Sequence, residues 1–184
     1  TLIPRPETEL LIDISLDLFD SSESIKVLDW GTGSGIIAIT LAYKCTNWKV
    51  SATDQSEDAL EVAKANAKSV ATSVEFSHGS WLEAVPGQVF DLIISNPPYV
   101  EDNDPHLINL QFEPISALIS GADGLDDIRM IIEQAPKQLN SGGYLLLEHG
   151  YNQQTKIMRL MRESFIEVRG FQDNNGIDRG VLCR

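Results

Sequence analysis

Four groups of residues have types and spacings suited to chemistry. Ser95-Asn96-Pro97-Pro98-Tyr99 follows an apolar run, Phe90-Asp91-Leu92-Ile93-Ile94, that reads as a buried strand. Neither proline has an N–H to continue a ladder. The residue before a proline is driven from helical angles, so Asn96 is held extended. The result is a stiff corner with a carboxamide and an aromatic ring at a strand's end. Such a corner fits a planar amide or amine nitrogen. Its hydrogens would meet the Asn96 carbonyl and a backbone carbonyl of Pro97 or Pro98, and its flat face would lie on Tyr99.

The second group is Gly31-Thr32-Gly33-Ser34-Gly35, between the run Ile25–Trp30 and the apolar positions Ile36, Ile37, Ile39 and Leu41. A strand, a glycine turn and a helix start form a cradle in which backbone can approach a ligand and N–H groups can face it. The spacing differs from the dinucleotide fingerprint Gly-x-Gly-x-x-Gly. The third is Asp54, which closes the run Lys49–Thr53. A carboxylate there can accept both hydroxyls of a ribose. The fourth is Trp81, in Gly79-Ser80-Trp81-Leu82 after the run Ser73–Ser77, where an apolar ring could wall an adenine.

Each group also has a plainer reading. The prolines could make an ordinary tight turn, and the glycines a βα turn. Asp54 could cap the next helix, although Ser56 can fill that role instead. Trp81 could fill a loop cluster. Arg5 and Glu7, in Thr1–Thr8, read as capping and solvated residues of a segment stiffened by Pro4 and Pro6.

The elements that must position these groups alternate. Leu10, Leu11, Ile14 and Leu18 recur at helical spacing, predicting a helix to about Asp20. Strands follow at 25–30, 49–53, 73–77 and 90–94, with helices from Ile36 and over 57–68 between them. Val100–Leu125 is a long irregular stretch, expected to be a lid or substrate-facing flap. A helix over 126–139, ended by Ser141-Gly142-Gly143, leads to a strand at 144–148 and a helix over 152–162. Strands at 165–171 and 180–183, joined through Asn174-Asn175-Gly176, predict an antiparallel hairpin. Alternation of this kind implies a parallel sheet with helices on both faces.

Composition limits the partners. The chain has 184 residues, 42% hydrophobic and 22% charged, which suits one globular domain. Asp plus Glu number 27 against 14 Lys plus Arg, a net charge of −13. That charge repels a phosphate backbone, and the basic residues form no stripe beyond Lys156, Arg159 and Arg162. Direct nucleic-acid binding is therefore not expected. No apolar run is long enough to span a bilayer, and no secretory pattern is present. Cys45 and Cys183 are isolated and read as reduced, buried thiols of a cytoplasmic protein. His78, His106 and His149 lack metal-ligand spacing, so no metal is expected. The chain starts at Thr1 without Met, within what reads as a motif, and is expected to be a piece of a longer protein.

Asn-Pro-Pro-Tyr after an apolar strand resembles the signature of methyltransferases that act on planar nitrogens in DNA, RNA or protein. The resemblance narrows when other segments are added: Leu2-Ile3-Pro4-Arg5-Pro6-Glu7-Thr8-Glu9, Asp29-Trp30-Gly31-Thr32-Gly33-Ser34-Gly35, Asp123-Gly124-Leu125, Gly142–Gly150 and Asp178-Arg179. Together they are similar, nearly end to end, to the HemK/PrmC family. The Pro-Arg-Pro-Glu-Thr-Glu segment sets this group apart from related ribosomal-protein glutamine methylators.

That resemblance implies a class I S-adenosylmethionine-dependent methyltransferase fold: a Rossmann-like, doubly wound α/β domain with a seven-stranded sheet and a C-terminal antiparallel hairpin. It implies methylation of the glutamine side-chain nitrogen in the Gly-Gly-Gln motif of class 1 peptide chain release factors. By the same resemblance Gly31 to Gly35 hold the cofactor's methionine end, Asp54 its ribose, and Trp81 lies by its adenine. Asn96 also borders the cofactor, and with Pro97, Pro98 and Tyr99 it grips the target glutamine; Asn96 and Tyr99 are the expected catalytic pair. All of 1–184 then forms the catalytic domain, and the family's small N-terminal helical domain is absent from it. Trp30, Ser80 and Ile115 depart from the family's usual residues. The alternatives are a nucleic-acid exocyclic-amine methyltransferase, a non-catalytic cofactor-binding subunit and, disfavoured by its glycine spacing, an NAD oxidoreductase.

Overall fold

The computed structural model describes residues 8–105, 114 and 117–184, with backbone alone for Trp81 and Leu82. Seven strands form one sheet: β1 (Lys26–Trp30), β2 (Lys49–Asp54), β3 (Glu75–His78), β4 (Phe90–Ser95), β5 (Leu139–Glu148), β6 (Val168–Gln172) and β7 (Asp178–Cys183). Their order is β3-β2-β1-β4-β5-β7-β6. β1 to β5 run parallel, while β7 lies antiparallel between β5 and β6. The connections are α1 (Glu9–Leu18) before the sheet, then α2 (Ile36–Lys44), α3 (Glu57–Ser69), α4 (Asp126–Gln134) and α5 (Gln154–Met161). The expected seven-stranded α/β architecture with a closing hairpin is therefore the one adopted.

The strand sequences explain the two-sided sheet. Alternate side chains enter opposite cores, so central strands need apolar residues at every position. In β4, Phe90 and Ile93 join the core beneath α4 and α5, while Leu92 and Ile94 join that beneath α1 and α2. Leu145, Leu146 and Leu147 of β5 alternate the same way. Cys45 and Cys183 are both buried and free, as their isolation suggests.

Most strand and helix ends lie within a few residues of expectation; the larger departures are around β5, which begins at Leu139 rather than Tyr144. The helix predicted to reach Leu139 ends at Gln134, with a 3-10 turn over Ala135–Lys137, because Pro136 has no N–H to extend the helical ladder. Gly142-Gly143 does not stop that helix; it lies inside β5, where the register shifts against β4 between Phe90 and Leu92. Gly142 has φ +81°. A Cβ on Gly143 would stand 3.0 to 3.2 Å from the carbonyl oxygens of Asn140, Phe90 and Asp91. The pair therefore serves a bulge with close backbone approach.

The long stretch after β4 is tied at its base. Val100 bridges Ile119, its N–H donates to the Leu118 carbonyl, and the Ser120 N–H donates back to the Val100 carbonyl. Of the expected flap over 100–125, residues 106–113 and 115–116, with Ile115 among them, lie outside the described residues, as do residues 1–7.

Candidate active site

Topology brings two of the four groups together. β1 and β4 are adjacent, and the sheet reverses its winding between them. In doubly wound sheets ligands bind in the crevice at such a switch point, beyond the carboxyl ends of the strands. The glycine turn leaves β1 there and the Asn-Pro-Pro-Tyr corner leaves β4. Ser95 Oγ donates to the Trp30 carbonyl at 2.5 Å, joining the two strand ends.

The turn is bolted to β2 as well. The Gly31 and Thr32 N–H groups both donate to the Thr53 carbonyl, at 2.9 and 2.8 Å. The Gly33 N–H donates to Asp54 Oδ2 at 2.8 Å, and the Ser56 N–H to Asp54 Oδ1 at 2.9 Å. Ser56 is the N-cap of α3, its hydroxyl accepting from the Ala59 N–H. Asp54 thus clamps the glycine turn to the start of α3. Each of its oxygens keeps a further lone pair for a ligand hydroxyl.

The three glycines of the turn do different work. A Cβ on Gly33 would meet nothing within 4 Å, whereas one on Gly35 would stand 2.7 Å from Ile39 Cδ1 and 3.0 Å from Ala63 Cβ. Gly35 permits close packing of α2 on α3. Gly31 and Gly33 face a cavity of about 420 Å³, whose walls also include Asp54, Asn96, Pro97 and Pro98. That volume lies within the range of small-molecule sites. Trp30, Ser80, Pro114, Ala117 and Asp127 complete other parts of its wall. Thr32, Ser34 and Gly35 are not among its lining residues. Trp81 follows Ser80, but its side chain lies outside the described residues.

Asn96 is half-buried at the cavity wall, and its Nδ2 is 3.4 Å from Thr8 Oγ1. Tyr99 packs against the core beneath α4 and α5. Its carbonyl accepts a 2.9 Å bond from Gln153 Nε2. Buried Gln153 also donates to the Gly124 carbonyl and accepts from the Gly150 N–H. One side chain therefore fixes the exit of the diproline corner to two other loops.

Sequence reasoning left Asp29 out of the site. Its side chain is buried beneath the turn, where Oδ2 accepts from the Thr32 hydroxyl at 2.6 Å and the Ala38 N–H at 3.1 Å. It therefore occupies the positive end of α2, where Gly35 offers no capping side chain. Oδ1 has no hydrogen-bond partner among the described residues. Burial raises its carboxyl to about 6, the bonds from Thr32 and Ala38 oppose the rise, and the Asp54 charge adds to it. An acid at a strand's end immediately before a glycine turn was the available signal. Trp30, a departure from the resembled family, is buried in the core and also borders the cavity. Among the described residues no group of His, Cys, Asp and Glu is placed to hold a metal.

The comparisons with known proteins agree with this geometry. The family model for the methyltransferase small domain matches residues 8–113. A release factor glutamine methyltransferase from Coxiella burnetii is 43% identical over 185 residues, covering 100% of this chain and 67% of that protein. One from Xylella fastidiosa is 45% identical over 188 residues, covering 100% of this chain and 68% of that protein. The chain thus spans about two thirds of the length of these relatives. The crystal structure of ribosomal protein L11 methylase from Lactobacillus delbrueckii subsp. bulgaricus superimposes with TM-score 0.72 at 21% identity, covering 98% of this chain and 79% of that one. This last likeness establishes the fold. The end-to-end identity with the first two goes further: the chain belongs to the release factor glutamine methyltransferase family.

Proposed function

We propose that the chain transfers a methyl group from S-adenosylmethionine to the side-chain amide nitrogen of the Gly-Gly-Gln glutamine in class 1 peptide chain release factors. The observation that carries this reading is a single cavity lined by Gly31, Gly33 and Asp54 together with Asn96, Pro97 and Pro98.

The residues present fit that cofactor. The open space over Gly33 admits a ligand against the backbone, and Asp54 offers lone pairs to ribose hydroxyls. Gly31 to Gly35 would hold the methionine end, and Trp81 would lie by the adenine. When bound, S-adenosylmethionine supplies a methyl already activated on a sulfonium, so the protein's main task is positioning.

Asn96 and the Pro97 carbonyl would accept the two N–H groups of the glutamine amide, with Tyr99 and Pro98 flanking its plane. These contacts hold electron density on the nitrogen and strengthen as positive charge develops there. The proton leaves to water, since the corner itself carries no base. A protein substrate in the cytoplasm, without direct nucleic-acid contact, accords with the net charge of −13. Among the described residues no helix is long and apolar enough to cross a membrane.

The test is tritiated-methyl transfer to a purified release factor, with a Gln→Ala target and a DNA duplex as controls. Label should enter only the intact target. Asn96→Ala should abolish transfer while calorimetry still detects cofactor binding. Turnover retained by that variant, or label in the duplex, would overturn the reading.

A further inference from the structure

Asn96 can grip an amide N–H only if its carbonyl end, not its NH2 end, faces the cavity. The two ends are nearly the same size, so sterics alone do not choose between them. A chain of three polar side chains makes the choice. β4 and β5 are neighbours with Ser95 paired to Leu147, so the next residues, Asn96 and Glu148, stand side by side at the carboxyl edge of the sheet. Thr8, at the N-cap of α1, sits between them. Its hydroxyl donates to Glu148 Oε2 at 3.1 Å, and its oxygen stands 3.4 Å from Asn96 Nδ2. Thr8 is 5% exposed and Glu148 1%.

The direction of each bond follows from the one before. Thr8 Oγ1 is the donor to Glu148 Oε2, so its single proton is committed there. The Thr8 oxygen then has only lone pairs left for Asn96, which must turn its NH2 toward Thr8. The carboxamide is planar, so Oδ1 is directed away from Thr8. We infer that Glu148 and Thr8 are positioning residues that set the flip of the Asn96 carboxamide and so the polarity of the substrate grip. The inference rests on the proposed role of Asn96 in holding the glutamine amide. Glu148 does not touch substrate; it acts through Thr8.

Three variants of the chain test this, each assayed for methyl transfer to release factor at saturating cofactor and for cofactor affinity by calorimetry. Thr8→Val keeps the shape and deletes the relay. Its kcat should fall about tenfold, the worth of roughly one hydrogen bond, with cofactor affinity unchanged. Thr8→Ser restores the hydroxyl and should recover kcat to within about twofold. Glu148→Gln can donate as well as accept, so it no longer dictates which way Thr8 points; its kcat should fall by a similar factor. If Thr8→Val does not fold, as seen in a thermal melt, Glu148→Gln and Thr8→Ser decide the matter. Unchanged kcat in Glu148→Gln, a Thr8→Val loss that serine does not repair, or an equal loss of cofactor affinity would overturn the inference. Wild-type chain that fails to methylate release factor would sink the functional reading beneath it. Wild-type turnover with an indifferent Glu148→Gln sinks the relay alone.

Discussion

Replacing Gly33 and Gly35 by alanine, one at a time, separates ligand approach from helix packing within a single turn. Both glycines have positive φ, +57° and +85°. Each alanine therefore costs about 1–2 kcal/mol of left-handed strain. Gly33→Ala adds little more to the folded chain, because its Cβ meets nothing within 4 Å. Its methyl instead occupies space in the cavity where a ligand would lie. Gly35→Ala also drives a Cβ to 2.7 Å from Ile39 and 3.0 Å from Ala63, an overpacking that adds about 1–3 kcal/mol. Its total, roughly 2–5 kcal/mol, is a large share of a domain's usual stability of about 5–15 kcal/mol. Urea denaturation should show the larger loss in Gly35→Ala. Calorimetry should show S-adenosylmethionine affinity reduced about tenfold or more in Gly33→Ala, and little changed in the folded fraction of Gly35→Ala. Equal stability losses, or undiminished affinity in Gly33→Ala, would refute the division of labour.

Gln153→Leu should cost about 2–4 kcal/mol in urea denaturation, because it leaves the Tyr99 and Gly124 carbonyls and the Gly150 N–H without their partner; a loss under about 0.5 kcal/mol would count against its role as the tie. Asp54→Ala should weaken cofactor binding in calorimetry and release the Gly33 and Ser56 N–H groups; unchanged affinity would remove Asp54 from the site. Asp29 makes a pH signature. Its carboxyl is raised by burial to about 6 from an ordinary 3.8, so the folded chain holds the proton more tightly than the unfolded. The stability it contributes is full below about pH 4 and is lost as pH rises through about 6, a change of roughly 3 kcal/mol. The stability of Asp29→Asn relative to wild type should therefore improve by about that amount between pH 4 and pH 7 in urea titrations; a pH-independent difference would refute the assignment.

The fold was readable because its strands announce themselves twice, by apolar runs and by the turn residues that end them. Phe90–Ser95 is apolar at four of its six positions because both faces of β4 are covered, and a short Asn-Asn-Gly connection predicts the β6–β7 hairpin. The errors fell where one residue type has two uses. Gly142-Gly143 resembles a helix stop, yet it sits in a strand, because a bulge and a C-cap both favour glycine. Only the pairing partner, Phe90, distinguishes them, and it lies far away in sequence.

The same limit governs the site. That Asn96, the prolines and Asp54 would stand at strand ends, where they line one cavity, was legible because the signals are local: a rigid corner after a strand, an acid at a strand's end. What holds them was not legible, because it joins residues distant in sequence whose types are individually common. Gln153 reaches back to Tyr99, and Glu148 to Thr8. The glycine turn lies between these cases. Its sequence states that side chains are forbidden at Gly31, Gly33 and Gly35 without stating what forbids them. At Gly35 the prohibition comes from Ala63 of the next helix; at Gly33 no atom crowds a Cβ, and the positive φ of +57° is what favours glycine, with the space above it open to a ligand. A glycine pattern is therefore a statement about backbone angle or crowding without saying which, and only the neighbour that crowds it, or the open space in its place, separates packing from binding.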